Sequence, residues 1–207
     1  RDLKEDFIKK DEIKEKYYKP GFNILYAGNI GDAQVESLKN IFNLMNDKKV
    51  KENNIYLIVV GHGRKKDYLV DFAKENNIEN ILFFDYVYDF TEYQNLIYYA
   101  DCCLVTLREE SKGMSVPSKT YYYLSGGKPV LADVPIGSEI DIALKEDNCG
   151  INLKDCKREA AIEKLLYLKN DKKFYDELCK NARKAVEKKY SKDVALEKYL
   201  SVIENLI

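Results

Sequence analysis

Short apolar runs alternate with stretches of helical periodicity along most of this chain. The runs are rich in Ile, Leu, Val and Phe and predict strands near residues 23–27, 55–60, 80–84, 102–106, 129–132 and 149–153. Between the first two runs, one helical face is predicted from the spacing of Val35, Leu38, Ile41, Phe42 and Met45. A second face precedes the fourth run and comprises Tyr93, Leu96, Ile97 and Ala100. The pattern therefore predicts a repeated β-α-β order.

Near-continuous apolar strands separated by helices are typical of a parallel sheet that is covered on both faces. The predicted fold class is α/β: a Rossmann-like, doubly wound parallel sheet of about six strands with flanking helices and a helical C-terminus. In such sheets ligands bind beyond the carboxyl ends of the strands. The loops after Ala27, Val60, Phe84, Thr106 and Ala132 should therefore surround a binding crevice.

The two ends of the chain are set apart by composition. Residues 1–21 are polar and end in Pro20 and Gly21, which predicts a linker or a helix arriving from a preceding domain. Residues 22–190 should form the domain itself, and residues 191–207 a C-terminal helix. Helices are predicted near 157–168, 171–189 and 192–206, with Asp171 and Ser191 as caps.

The charge balance and the cysteines limit the class of protein. Lys plus Arg total 34 against 35 Asp plus Glu, so a net charge of -1 disfavours a nucleic-acid partner. Five cysteines without a CxxC spacing argue against a disulfide framework and a zinc site, and they fit a cytoplasmic protein. Cys102 and Cys103 lie in an apolar run and are predicted to be core residues.

No segment has the features of a membrane span or a signal peptide. The apolar runs are far shorter than the roughly 20 residues that a spanning helix needs. The chain begins at Arg1 without the charged start, apolar stretch and cleavage site of a signal peptide. We expect the natural protein to extend upstream of Arg1.

Two loops resemble anion sites. After the first strand, Gly28, Asn29, Ile30 and Gly31 precede a helix, so their backbone N–H groups could face a phosphate; a plain tight turn is an equal alternative. The GxGxxG fingerprint is absent, which disfavours a nicotinamide enzyme. In the second loop, residues 61–66, exposed basic residues at a helix start are the preferred interpretation, and His62 receives no catalytic role.

The segment 116–139 is the most informative part of the chain. Pro117 suits the first turn of a helix, so Lys119 lies near the positive end of that helix, where a cation has no structural benefit. This placement indicates an anionic ligand. Gly137, Ser138 and Glu139 open a further helix, whose free N–H groups are expected to face the same crevice.

Taken in order, these motifs resemble the bacterial glycosyltransferases of family 4. The resemblance rests on YAGNIG with Gln34, then VGHG, YAD and VPSK…YL..GKPVLA…GSE, and it covers residues 22–152. Within that family the chain is most similar to the branch that builds capsule or O-antigen units. The resemblance implies the donor-binding second domain of a retaining GT-B enzyme, with an absent first domain that binds a lipid-linked saccharide acceptor. It implies a cytoplasmic protein, peripheral at the inner face of the plasma membrane, a UDP-, GDP- or dTDP-sugar as donor, and no cofactor or metal.

The resemblance also implies roles for individual residues. The first loop would lie against the donor phosphates, and Lys119 of the VPSK motif would neutralise the diphosphate leaving group. Ser118 of the same motif would belong to the donor site. The N–H groups of Gly137, Ser138 and Glu139 would hold the sugar or its phosphate. The base would be met by the loop of Asp85, Tyr86 and Val87.

Four positions depart from the family pattern. Asn29 and Gln34 stand where many members have Arg and Lys, so Lys119 or Arg108 must carry more of the charge. Met114 and Tyr122 stand where many members have two glutamates, the second of which binds the ribose. Tyr122, or else the pair Glu109 and Glu110, is a candidate replacement, although Tyr122 could equally be a packing residue and the two glutamates simply solvated.

No catalytic residue is assigned, and two other functions stay open. A GT-B sugar-nucleotide epimerase would need acids and a histidine around the donor, and the chain has a single histidine, His62. A non-catalytic nucleotide-sugar-binding module would explain the substituted motif positions. We expect the chain to fold alone and bind a nucleoside diphosphate, but to transfer no sugar.

Overall fold

The computed structural model describes residues 8–204, in which helices and parallel strands alternate. The strands are β1 (Phe22–Ala27), β2 (Ile55–Val60), β3 (Ile81–Phe84), β4 (Cys102–Thr106), β5 (Val130–Asp133) and β6 (Gly150–Asn152). The helices before β4 are α1 (Asp11–Tyr17), α2 (Asp32–Met45), α3 (Lys48–Glu52), α4 (Lys66–Glu75) and α5 (Phe90–Tyr99). Those after β4 are α6 (Lys119–Ser125), α7 (Glu139–Asp147), α8 (Arg158–Asn170), α9 (Lys172–Ala185) and α10 (Lys192–Glu204).

The six strands form one sheet in the order β3-β2-β1-β4-β5-β6, and every neighbouring pair is parallel. β1 pairs along its whole length with β2, from Phe22 opposite Ile55 to Ala27 opposite Val60. On its other side Leu25 lies opposite Cys103 of β4. The predicted six-stranded, doubly wound α/β fold is thereby confirmed.

Helices cover both faces of the sheet, because alternate residues of each strand point to opposite sides. One apolar core joins β1 residues such as Ile24 to α2, α3, α4 and α8. The other joins residues such as Leu25 to α1, α5, α6 and α7. α9 contributes to both cores, through Leu178 and Ala182. Cys102 and Cys103 are fully buried, one in each core, as predicted.

The terminal segments agree with the predicted elements over the described residues. α1 lies within the segment 1–21, for which a linker or a helix is predicted, and residues 1–7 lie outside the described part. The Asp171 side chain caps α9 by accepting the Phe174 N–H at 2.8 Å, and Ser191 accepts the Val194 N–H at 3.3 Å. α9 continues into a π-helical turn, Val186–Tyr190, and α10 buries no residue. No helix within 8–204 has the length and apolarity needed to cross a bilayer.

Candidate functional site

The cavity of interest lies where the direction of strand order reverses. β1 and β4 are neighbours in the sheet, but the connection after β1 leads toward β2 and the connection after β4 leads toward β5. The loops beyond their carboxyl ends therefore diverge, which opens a crevice. A cavity of about 520 Å³ occupies it, and we call it the switch-point cavity. Its lining consists of Tyr26, Ala27, Gly28, Asn29, Gln34, Val60, Tyr86, Val87, Tyr88, Asp89, Phe90, Tyr93, Thr106, Leu107, Ser115, Pro117, Ser118, Lys119 and Tyr122.

Lys119 is the one basic residue that lines this cavity within the described residues. It is the first residue of α6, as its position after Pro117 predicts. Its ammonium lies 3.7 Å from the centroid of the Tyr26 ring, and no acidic side chain in the described part of the chain pairs with it. Burial without an anionic partner lowers the pKa of Lys119 from 10.5 to about 7.

A buried hydroxyl lies in the same wall of the cavity. Thr106, at the end of β4, is 4% exposed, and the contact of its Oγ within the described residues is a weak hydrogen bond to the Tyr26 hydroxyl oxygen. The Tyr26 hydroxyl itself donates to the carbonyl of Asn29 at 2.6 Å. The cavity therefore combines a partly buried cation without an anion and a buried hydroxyl with only a weak partner, and a ligand that satisfied either group would be favoured.

Most backbone N–H groups of the first loop, residues 28–31, already donate hydrogen bonds to other atoms of the chain. The N–H of Gly28 donates to Val60 O at 2.9 Å, that of Ile30 to His62 O at 2.8 Å, and that of Gly31 to Gln34 Oε1 at 3.1 Å. Three of the four N–H groups expected to face a phosphate are thus occupied by the chain itself. The Gln34 side chain thus satisfies the N–H of Gly31, the N-cap residue of α2.

Ion pairs hold the second loop in place. Arg64 pairs with Asp32 at the start of α2, Lys65 reaches the same carboxylate at 3.5 Å, and Lys66 binds Asp85 at 2.6 Å. These three side chains do not line the switch-point cavity. The interpretation as basic residues at a helix start is supported over an anion grip, although only Arg64 is highly exposed.

The helix start at Gly137 requires a correction. The Gly137 N–H donates to Asp141 Oδ2 at 2.7 Å, and the Ser138 N–H donates to Pro135 O at 3.0 Å. The expectation that these N–H groups are free is therefore wrong. Neither they nor Glu139 line the switch-point cavity. The spacing of Ser138 and Asp141, an N-cap and an acid three residues later, is a local signal that could have revealed this.

The structure brings together eight of the fifteen predicted site residues. The cavity lining includes Gly28, Asn29, Gln34, Tyr86, Val87, Ser118, Lys119 and Tyr122. The lining does not include Ile30, Gly31, Asp85, Arg108, Gly137, Ser138 and Glu139.

The candidate replacements for the family's charged residues also divide into those that line the cavity and those that do not. Arg108 donates through Nε to Ser111 Oγ at 3.1 Å, and the adjacent turn Glu109–Ser111 leaves both of its glutamates exposed. Met114 is 76% exposed. Only Tyr122 belongs to the cavity, where its ring lies edge-on to Tyr93 with centroids 6.2 Å apart.

Sequence reasoning missed several cavity residues. Tyr26 is the penultimate residue of β1 and Thr106 is the last residue of β4, so both lie within the strands, whereas the topology directed attention to the loops that follow them. Tyr88 and Phe90 lie within three residues after the loop that was predicted to meet the base, residues 85–87. Within 8–204 no three His, Cys, Asp or Glu side chains lie close enough together to hold a metal ion.

Comparisons with known proteins agree on one family. The family model described as "Glycosyl transferases group 1" matches residues 7–185. The chain is 25% identical over 190 residues to the probable glycosyltransferase WbjE of Pseudomonas aeruginosa, covering 88% of this chain and 44% of that protein.

Solved structures share the fold. The C-terminal domain of a group 1 glycosyl transferase, LpcC of Francisella tularensis, matches 93% of this chain and 99% of its own, with a TM-score of 0.67 and 16% identity. HepE of Anabaena, crystallised with UDP and glucose, matches 89% of this chain and 48% of its own, with a TM-score of 0.68 and 12% identity. The chain thus spans less than half the length of WbjE and HepE.

Proposed function

This chain belongs to the group 1 glycosyl transferases, and we propose that it is the half of a GT-B glycosyltransferase that binds the nucleoside-diphosphate sugar. The observation that carries the proposal is the Lys119 ammonium, which lies in the switch-point cavity without an anionic partner among the described residues. A ligand diphosphate would supply the missing charge. The Thr106 hydroxyl would gain a hydrogen bond from the same ligand.

The same arrangement supports transfer chemistry. When the bond between the anomeric carbon and the donor phosphate breaks, negative charge develops on the departing diphosphate. A cation fixed in a partly dry cavity stabilises that charge more than it stabilises the intact donor, because its position requires no reorganisation. Lys119 would fill this role, assisted by the positive end of α6.

The finer parts of the proposal concern the whole protein. UDP and glucose bound to HepE support a nucleotide sugar as donor. Because the chain spans 44% of WbjE, we place the acceptor, a lipid-linked saccharide, on a second half of the protein. Retention of the anomeric configuration, membership of family 4 and a place in capsule or O-antigen synthesis follow the sequence resemblance.

The first experiment is a calorimetric and thermal-shift titration of the 207-residue chain with UDP, GDP, dTDP and their sugars. At least one diphosphate should stabilise the chain, by about 2.7 kcal/mol when present at 100 times its dissociation constant. If none of them binds, the donor-binding role is wrong.

The second experiment separates transfer from its alternatives. The complete protein should transfer the sugar to a saccharide acceptor, whereas the 207-residue chain should bind the donor and transfer nothing. Epimerisation of the free donor, or binding without any turnover by the complete protein, would replace the glycosyltransferase assignment with one of the two other functions. Transfer by the isolated chain would contradict the division into donor and acceptor halves.

A further inference from the structure

The switch-point cavity is poor in acidic groups. Among the described residues Asp89 is the only Asp or Glu in its lining. Asp89 is exposed at the rim, where its Oδ1 accepts the Glu92 N–H at 2.7 Å and caps α5. One oxygen of Asp89 is therefore committed to the helix, and the described lining residues offer no second carboxylate to the hydroxyls of a bound ribose.

The cavity is rich in aromatic rings. Six of its lining residues are aromatic, namely Tyr26, Tyr86, Tyr88, Phe90, Tyr93 and Tyr122. At the mouth, the rings of Tyr86 and Tyr88 stand edge to face with centroids 4.8 Å apart, and both side chains are exposed. Such rings offer stacking surfaces to any nucleobase, because every base has a π face, and stacking does not depend on the 2′ position of the sugar.

The remaining polar side chains of the cavity should discriminate little between a ligand with a ribose hydroxyl and one without it. Asn29, Ser115 and Ser118 are exposed and can bond to water when no ligand hydroxyl is present. Gln34 Oε1 accepts the Gly31 N–H, and the hydroxyls of Tyr93 and Tyr122 are not among the buried unpaired atoms of the described residues. A site rejects an analogue that lacks a hydroxyl when the loss leaves a buried polar group unpaired. Of the described groups that line the cavity, only Thr106 Oγ is fully buried with no more than a weak partner, the Tyr26 hydroxyl, and it lies at the Lys119 end of the cavity.

From these contacts we propose that the site recognises its nucleoside through aromatic rings and does not distinguish ribose from 2′-deoxyribose. This inference rests on the proposed donor-binding function and narrows it. The donor class then includes both ribonucleoside and 2′-deoxyribonucleoside diphosphate sugars. The chain would accept a uridine and a thymidine donor in the same pocket, and selection between sugars would depend on groups other than the ribose.

The test is a pair of titrations with UDP and 2′-deoxy-UDP, which differ in one hydroxyl, at pH 6.5. The two dissociation constants should lie within about tenfold of each other, the limit expected when only neutral, water-accessible groups meet the hydroxyl. A loss of more than about tenfold for 2′-deoxy-UDP would overturn the inference while leaving donor binding intact. If the chain prefers another base, the same pair of titrations uses that diphosphate and its 2′-deoxy form; absence of binding by every nucleoside diphosphate would overturn the proposed function along with the inference.

Two variants show which groups act. Asp89→Asn retains an N-cap, since Asn caps helices as well as Asp, and should leave the ratio of the two dissociation constants unchanged. A change in that ratio would show that Asp89 contacts the ribose hydroxyl and would contradict the inference. Tyr88→Ala removes one exposed ring. The variant should bind UDP and 2′-deoxy-UDP more weakly by the same factor, about 5- to 100-fold if the base stacks on this ring. Unequal weakening of the two nucleotides would contradict the inference.

Discussion

Lys119 and Tyr26, which are 93 positions apart in the chain, form a cation–π contact of 3.7 Å at the floor of the switch-point cavity. The ring holds the ammonium where an anion would otherwise be needed, and it does so without neutralising the charge. In the free chain this leaves the ammonium poorly compensated, as the lowered pKa of Lys119 indicates. The contact thus keeps a cation ready for an anionic ligand.

Replacing Lys119 with Met should weaken nucleoside-diphosphate binding by about 1.5–3 kcal/mol, the range for a hydrogen bond that involves a charged group. Met keeps an unbranched apolar stem, so the ligand-free variant should be at least as stable as the parent in urea unfolding. Calorimetry at two ionic strengths measures the loss. Lys128→Met, at a lysine that lies 5.7 Å from the Tyr98 ring and outside this cavity, is the matched control and should bind normally.

The pKa of Lys119, lowered by burial to about 7, predicts that binding depends on pH. A diphosphate favours the ammonium form, so above pH 7 binding should take up a proton, and affinity should fall between pH 6.5 and 8.5. Calorimetry at pH 8 in buffers of different ionisation enthalpy measures the number of protons that the chain takes up when the diphosphate binds. Lys119→Met should show neither effect, and an equal pH dependence in both proteins would assign it to another group.

The same shift predicts a stability effect in the free chain. Between about pH 7 and 10.5 the unfolded chain keeps a proton on Lys119 that the folded chain has lost, so this group makes stability rise with pH in that window. The parent should therefore be less stable than Lys119→Met at pH 6 and approach it at pH 9. A constant difference between the two urea midpoints would contradict the assignment.

Gly28 should be required for both the fold and the ligand. Its φ of +151° lies in a region that L residues rarely adopt, and a Cβ there would lie 3.4 Å from Lys119 Nζ. The structure thus supports a loss of stability in Gly28→Val or Gly28→Ala, about 1–3 kcal/mol, in addition to weaker binding. Gly113→Ala is the control, because φ there is +72° and the Cβ would contact nothing within 4 Å in the described residues. The control should lose stability but keep its affinity. Equal affinities in the parent and in both Gly28 variants would remove Gly28 from the site.

Asp141 should be a stability residue and not a donor ligand. It is 1% exposed; burial alone would raise its pKa, but hydrogen bonds from Asn152, Gly137 and Lys145 hold the pKa below 3.8. Asp141→Asn should cost about 1–3 kcal/mol at pH 7, because a neutral amide cannot accept all of these bonds. The parent's advantage should be present above about pH 4 and disappear as the pH falls through the folded pKa, in acid-unfolding curves. Unchanged stability with altered donor affinity would instead restore the predicted ligand role of the Gly137 helix start.

Much of this protein could be predicted from local pattern. Runs such as Ile55–Val60 are short, apolar on both faces and rich in β-branched residues, and these properties together predict a strand covered by helices on each side. Pro117 places Lys119 at the start of α6, and this prediction needs only the residues of a single helical turn. The order of strands and helices, the caps at Asp171 and Ser191 and the buried cysteines follow from the same kind of evidence.

The tertiary structure decided which of the predicted groups share a site. Whether Lys119 meets Tyr26 depends on how α6 packs across β1, and no periodicity within either segment contains that information. The Ile30 N–H is occupied because the second loop returns beside the first and offers the carbonyl of His62. Residue type and spacing report whether a position is buried and which element it occupies, since those depend on near neighbours in the chain. Contacts between remote segments depend on strand order and register, and those are set only when the whole sheet assembles.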